Sequence, residues 1–78
     1  MKKKMVVVEQ QLTYIFSLDV QDLKNIDFEI DFTGSENINI KNMPSHERIV
    51  FKTVEPREST QIAQVELHEG WKLVTKFR

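Results

Sequence analysis

From Ile26 to Ile40 the chain alternates apolar and polar residues, turns, and alternates again. Side chains of an extended strand point to opposite sides in turn, so Ile26, Phe28, Ile30 and Phe32 fall on one face and Asp27, Glu29, Asp31 and Thr33 on the other. One face must be covered and the other wetted, which commits the chain to a layered β architecture. Gly34-Ser35-Glu36-Asn37 supplies turn-forming residues, and Ile38 and Ile40 then resume the apolar face, so the segment reads as a β-hairpin.

The flanking sequence carries the same period. Val6, Val8, Leu12, Tyr14, Phe16, Leu18 and Val20 occupy even positions, a run too long for one ordinary strand, and Gln10 interrupts it, which predicts a bulge, bend or break at Gln10–Gln11. Residues 21–25 form a polar loop, and Pro44, amid Asn42, Ser45 and His46, marks another turn. Arg48 to Val54 reads as a strand covered on both sides, Ile49 and Phe51 facing one way and Val50 and Val54 the other. After a turn at Pro56, Ala63, Val65 and Leu67 alternate with polar residues; Glu69-Gly70 reads as the last turn, and Trp71, Leu73, Thr75 and Phe77 as the core face of a closing strand. Six to seven short strands without a helix predict an all-β fold, a small antiparallel β-sandwich of jelly-roll or Ig-like type, with a barrel as the alternative. The expected core is Leu12, Tyr14, Phe16, Phe28, Ile30, Phe32, Phe51, Val65, Leu67, Trp71, Leu73 and Phe77.

Seventy-eight residues make one domain, 1–78, of thin stability margin, with residues 1–5 a flexible basic arm. With no cysteine there is no disulfide, thiolate or zinc-thiolate chemistry; an intracellular setting, cytoplasmic or cytoskeleton-associated, is expected. The net charge of −1 offers no field to draw nucleic acid. Locally, Asp19, Asp22, Asp27, Glu29, Asp31 and Glu36 face only Lys24, so an acidic middle lies between basic ends. The apolar run after Lys2-Lys3-Lys4 ends at Glu9, too soon for a secretory or membrane segment.

Few residues carry chemistry. Asp27, Glu29 and Asp31 share a strand face and are weak calcium candidates, since hard cations take clustered carboxylates. The plainer reading pairs them across the sheet with Lys72, Lys76 and Arg78. Asp19, Asp22 and Glu36 match no metal-loop spacing, and His46 and His68 read as exposed, with no partner for a relay. Gly34 and Gly70 are the sole glycines, so no phosphate-cradling loop exists. Lys2, Lys3 and Lys4 are the expected partner-binding residues, suited to an acidic protein surface or phospholipid headgroups.

Three segments together, Asp31-Phe32-Thr33-Gly34-Ser35-Glu36-Asn37, then Val54-Glu55-Pro56-Arg57-Glu58 leading into Ile62-Ala63-Gln64-Val65, then Gly70-Trp71-Lys72-Leu73-Val74-Thr75-Lys76-Phe77, resemble the accessory β-sandwich domains of calpain-like cysteine peptidases of protists, ciliates in particular. The likeness spans residues 12–78. It implies a non-catalytic module that serves docking, calcium or phospholipid contact and partner binding; no catalytic residue carries over, because the peptidase Cys has no counterpart. The expectation is therefore a non-enzymatic interaction or structural module, a small subunit or adaptor on a larger protein assembly, without cofactor, nucleic acid or small-molecule substrate. Regulation or inhibition of a papain- or calpain-like peptidase is the first alternative, and calcium or phospholipid binding the second.

Overall fold

The computed structural model describes residues 3–21 and 23–78. They form seven strands: β1 (Lys3–Gln10), β2 (Thr13–Val20), β3 (Ile26–Asp31), β4 (Glu36–Ile40), β5 (Ile49–Val54), β6 (Ser59–Lys72) and β7 (Lys76–Phe77). A four-stranded antiparallel sheet in the order β1-β2-β6-β4 packs on a three-stranded one in the order β5-β3-β7. The all-β sandwich predicted by the alternation is therefore present, as two open sheets and not a closed barrel. Among the described residues there is no helix, and so none long and apolar enough to cross a membrane.

The core is the space between the sheets. Phe16, Leu18 and Val20 of β2 and Ile62, Ala63, Val65 and Leu67 of β6 meet Ile26, Phe28 and Ile30 of β3 and Val50 and Val54 of β5, with Phe32 and Ile40 completing the cluster. Phe16 links the layers by edge-on contacts with Phe32 at 5.5 Å and Phe77 at 6.3 Å between ring centroids. Such pairs add to the area they bury.

Ile26–Ile40 does not form a hairpin. β3 lies in the three-stranded sheet and β4 in the four-stranded one, so the turn between them is an arch that carries the chain from one layer to the other. A hairpin would place the two apolar faces side by side, whereas an arch sets them face to face; the period of two is identical in both. What distinguishes the arch is long-range anchoring. Gly34 adopts a φ of 95°, and Ser35, buried, donates its hydroxyl to Val74 O at 3.0 Å and accepts the Val74 N–H at 2.8 Å.

Three other expectations are corrected. The break expected at Gln10–Gln11 is present as a two-residue turn, Gln11-Leu12, with Leu12 at a φ of 52°, but it makes the run a hairpin and reverses the face that β1 turns inward. Register Met5↔Leu18 and Val7↔Phe16 turns the odd residues of β1 inward, so Val6 and Val8 face outward. Lys3, Lys4 and Met5, expected in a flexible arm, are paired in β1, while Lys2 lies outside the described residues. Glu69-Gly70 is not a turn either. β6 runs through it with a register break between Glu36↔Lys72 and Ile38↔Leu67, where Gly70 has a φ of 81° and its carbonyl accepts from Asn37 Nδ2 at 3.1 Å. The chain then crosses to the two-residue β7, so Trp71 and Phe77 belong to different sheets.

Four residues of the expected core lie outside it. Leu12 sits on the turn, Trp71 lies at the sandwich end with 42% of its surface open, Phe77 is on the short edge strand, and Phe51 is 61% exposed. Tyr14 and Leu73 are half buried against the cluster. Leu18, Val20, Ile26, Ile40, Val50, Val54, Ile62 and Ala63 complete it. A further break between Phe16 and Ser17 explains why neighbours Ile62 and Ala63 are both buried: Phe16 pairs with Ala63 and Ser17 with Gln61, leaving Ile62 as the extra residue of a bulge.

Candidate functional site

The outer face of the three-stranded sheet carries the acidic row. Asp27, Glu29 and Asp31 stand opposite Thr53, Phe51 and Ile49 of β5. On their other side β7 continues in a reciprocal pair of backbone bonds between Glu29 and Arg78, of 3.2 and 3.0 Å. This register brings the Arg78 guanidinium to 3.8 Å from Glu29 and 3.7 Å from Asp31. Asp27 accepts from the Thr53 hydroxyl at 2.7 Å. The side chain and backbone N–H of Thr33 both bond Asp31 and hold its carboxyl below the ordinary range, with Arg78 and Lys76 adding to the effect. Pairing of the acids with the basic closing segment thus holds for Arg78, and Lys76 stands opposite Asp31; Lys72 instead faces Glu36 in the other sheet. Among the described residues no three His, Cys, Asp or Glu side chains, those of Asp27, Glu29 and Asp31 included, are placed to share a metal ion. Asp22 lies outside the described residues.

His46 and His68 are both exposed; His46 Nε2 lies 3.7 Å from Glu47. Lys3 Nζ sits 5.1 Å from the centroid of the Phe28 ring, on the core side of β1, and Lys4 is exposed on the opposite side.

The most distinctive surface lies along β5. β5 ends its sheet, so one row of its N–H and C=O groups has no strand beside it among the described residues. On the outer side of this edge Ile49 and Phe51 are 45% and 61% exposed. On its inner side a cleft of about 220 Å³ opens between β5 and the β4–β6 part of the facing sheet, floored by Met43, Val50, Ile62 and Ala63. Lys41 and Lys52 line it as well, with no carboxylate, and Lys52 Nζ donates to Gln61 O at 3.1 Å. Ile49 and Phe51, expected to be covered because every residue of 49–51 is apolar, are open instead. The readable signal was the run Lys52-Thr53, whose polarity marks a strand at the sheet margin.

No family model matches the chain, and no curated protein or solved structure does so either.

Proposed function

We propose that this chain is a non-enzymatic protein-interaction module, a small subunit or adaptor of a larger assembly, that docks through the free edge of β5. The observation that carries the reading is Phe51: a large aromatic, 61% exposed, on a strand with an unpaired edge and beside an apolar-floored cleft. An extended segment added to that edge gains main-chain hydrogen bonds, and its side chains alternate between the two sides of the sheet. One set rests on Ile49 and Phe51, and the other enters the cleft over Val50 and Ile62. Lys41 and Lys52 at the cleft favour a segment with acidic residues between its apolar ones.

The test compares wild-type protein with Phe51→Glu as bait in native extract, and selects extended peptides from a random display library against both. A partner and a shared alternating apolar–acidic peptide pattern are retained by wild type and lost with Phe51→Glu, whose melting temperature stays near that of wild type because Phe51 contributes little to the core. Equal recovery on both baits, or peptides without that pattern, refutes docking at β5.

A further inference from the structure

We infer that β1 is a self-complementary edge through which two copies of this chain pair into one continuous eight-stranded sheet. β1 ends the four-stranded sheet opposite β4, so half of its backbone groups point away from β2, with no strand among the described residues to receive them. Eight residues is long for an unguarded edge, and its centre, Met5-Val6-Val7-Val8, is wholly apolar, with Val7 48% and Val8 43% exposed. An edge of this kind is covered in a stable soluble protein, and its charge pattern identifies the cover.

The charges are Lys3 and Lys4 at one end and Glu9 at the other. A two-fold axis through an antiparallel strand pair lays the start of each copy against the end of the other, which converts a lengthwise charge gradient into attraction. The sheet pleat restricts the register. Residues directly opposite share a face, and Lys3, Met5, Val7 and Glu9 face the core side, across from Val20, Leu18, Phe16 and Tyr14 of β2. Odd residues of one copy must therefore oppose odd residues of the other. Of the registers this permits, the one centred on Val6 sets Lys3 against Glu9, Met5 against Val7 and Val6 against itself. It forms two ion pairs, covers exposed Val7 with Met5, and lays the Lys4 stem over Val8. Moving the centre by one residue opposes Met5 to Glu9 or Lys3 to Val7, and both ion pairs are lost. The Lys3 ammonium, already on the core side above Phe28, is on the face where Glu9 arrives.

The inference is independent of docking at β5, because β5 faces β6 and the end of β4 across the cleft, whereas β1 is separated from β6 by β2. A single strand pair falls at the small end of specific interfaces, below about 1,200 Å², so dissociation is expected in the micromolar range or weaker.

Sedimentation velocity of the full chain over a concentration series reads the outcome. Wild type shows a monomer–dimer equilibrium that weakens as salt rises. Lys3→Glu and Glu9→Lys each set like charges across the axis and weaken the dimer roughly tenfold or more. The doubly substituted K3E/E9K protein restores it, and an equimolar mixture of the two single variants forms a mixed dimer stronger than either variant alone. Circular dichroism verifies that every variant is folded; should a charge variant fail to fold, Val6→Lys, outward-facing and opposite itself at the axis, replaces it and must abolish the dimer. Wild type that stays monomeric throughout the series, with the lysines acting only to repel other strands, overturns the inference. A dimer indifferent to both single swaps overturns it equally.

Discussion

Ser35→Ala removes one oxygen and tests whether the arch between the layers is held by the hydrogen bonds at Val74. The Ser35 hydroxyl is buried and closes a two-way bridge, donating to Val74 O at 3.0 Å and accepting from Val74 N at 2.8 Å. Alanine leaves both Val74 groups without this partner. A fully buried orphan group costs about 1–3 kcal/mol. Val74 is half buried, so water recovers part of that, and the two groups together should cost about 2 kcal/mol. For a domain of this size about 1 kcal/mol moves the melting temperature by roughly 4–8 °C, so the expected loss is about 8–16 °C. Urea denaturation followed by the fluorescence of the single tryptophan, Trp71, gives the free energy directly, and the thermal melt by circular dichroism gives the shift. The urea slope should stay constant, since the fold and the surface it exposes are unchanged. A loss below about 0.5 kcal/mol would show that water substitutes for the hydroxyl and that the arch needs no anchor at Val74.

Two further outcomes follow from the same geometry. Gly70→Ala places a side chain at a φ of 81° with its Cβ 3.2 Å from Asn37 Nδ2, so it should cost about 1–2 kcal/mol in urea denaturation, and a neutral result would mean that the β6 register break is not fixed by its glycine. Asp31 has a folded-state pKa below its unfolded one, so its stabilising contribution is present above the ordinary carboxylate range and disappears as pH falls through the lowered folded value. Thr33→Val, which removes the hydroxyl that is the largest cause of the lowering, should raise the Asp31 carboxyl pKa read by NMR; an unmoved titration contradicts that assignment.

The alternation of Ile26–Phe32 was enough to specify a strand with one buried face, and Ile26, Phe28, Ile30 and Phe32 are all in the core. It was not enough to specify what the next strand does. Hairpin and arch present the same sequence of apolar and polar residues, and the deciding contact, Ser35 to Val74, joins positions 39 apart. Single-residue register effects were hidden for a related reason. A reversal at Gln11–Leu12 inverts β1, and one extra residue at Ile62 inverts the rest of β6, yet neither disturbs local composition. The acidic row was legible as charge, and its pairing with Arg78 followed from the opposite sign of the closing segment. The β5 surface was not, because Ile49-Val50-Phe51 reads as doubly covered unless the strand is known to end its sheet.

Unequal sheets explain why two strand margins of this molecule stand open. Four strands against three, one of the three only two residues long, leave the layers mismatched at both margins. At one margin the mismatch opens the cleft beside β5; at the other it leaves the core-facing side of β1 half covered, which is why Val7, opposite the buried Phe16, remains 48% exposed. A small domain cannot close both by adding strands to itself, and each unpaired edge gains by borrowing a strand from elsewhere. If β1 takes its strand from a second copy, the two β5 edges are carried on one rigid body at its far ends. A partner with two matching segments then binds the second at the effective concentration set by the first, so its affinity should exceed that of a single segment by about 10²–10⁴. Lys3→Glu, which dissociates the dimer without touching β5, should abolish that excess and leave single-segment binding unchanged. A bivalent partner bound equally well by wild type and Lys3→Glu would separate the two edges and refute their cooperation.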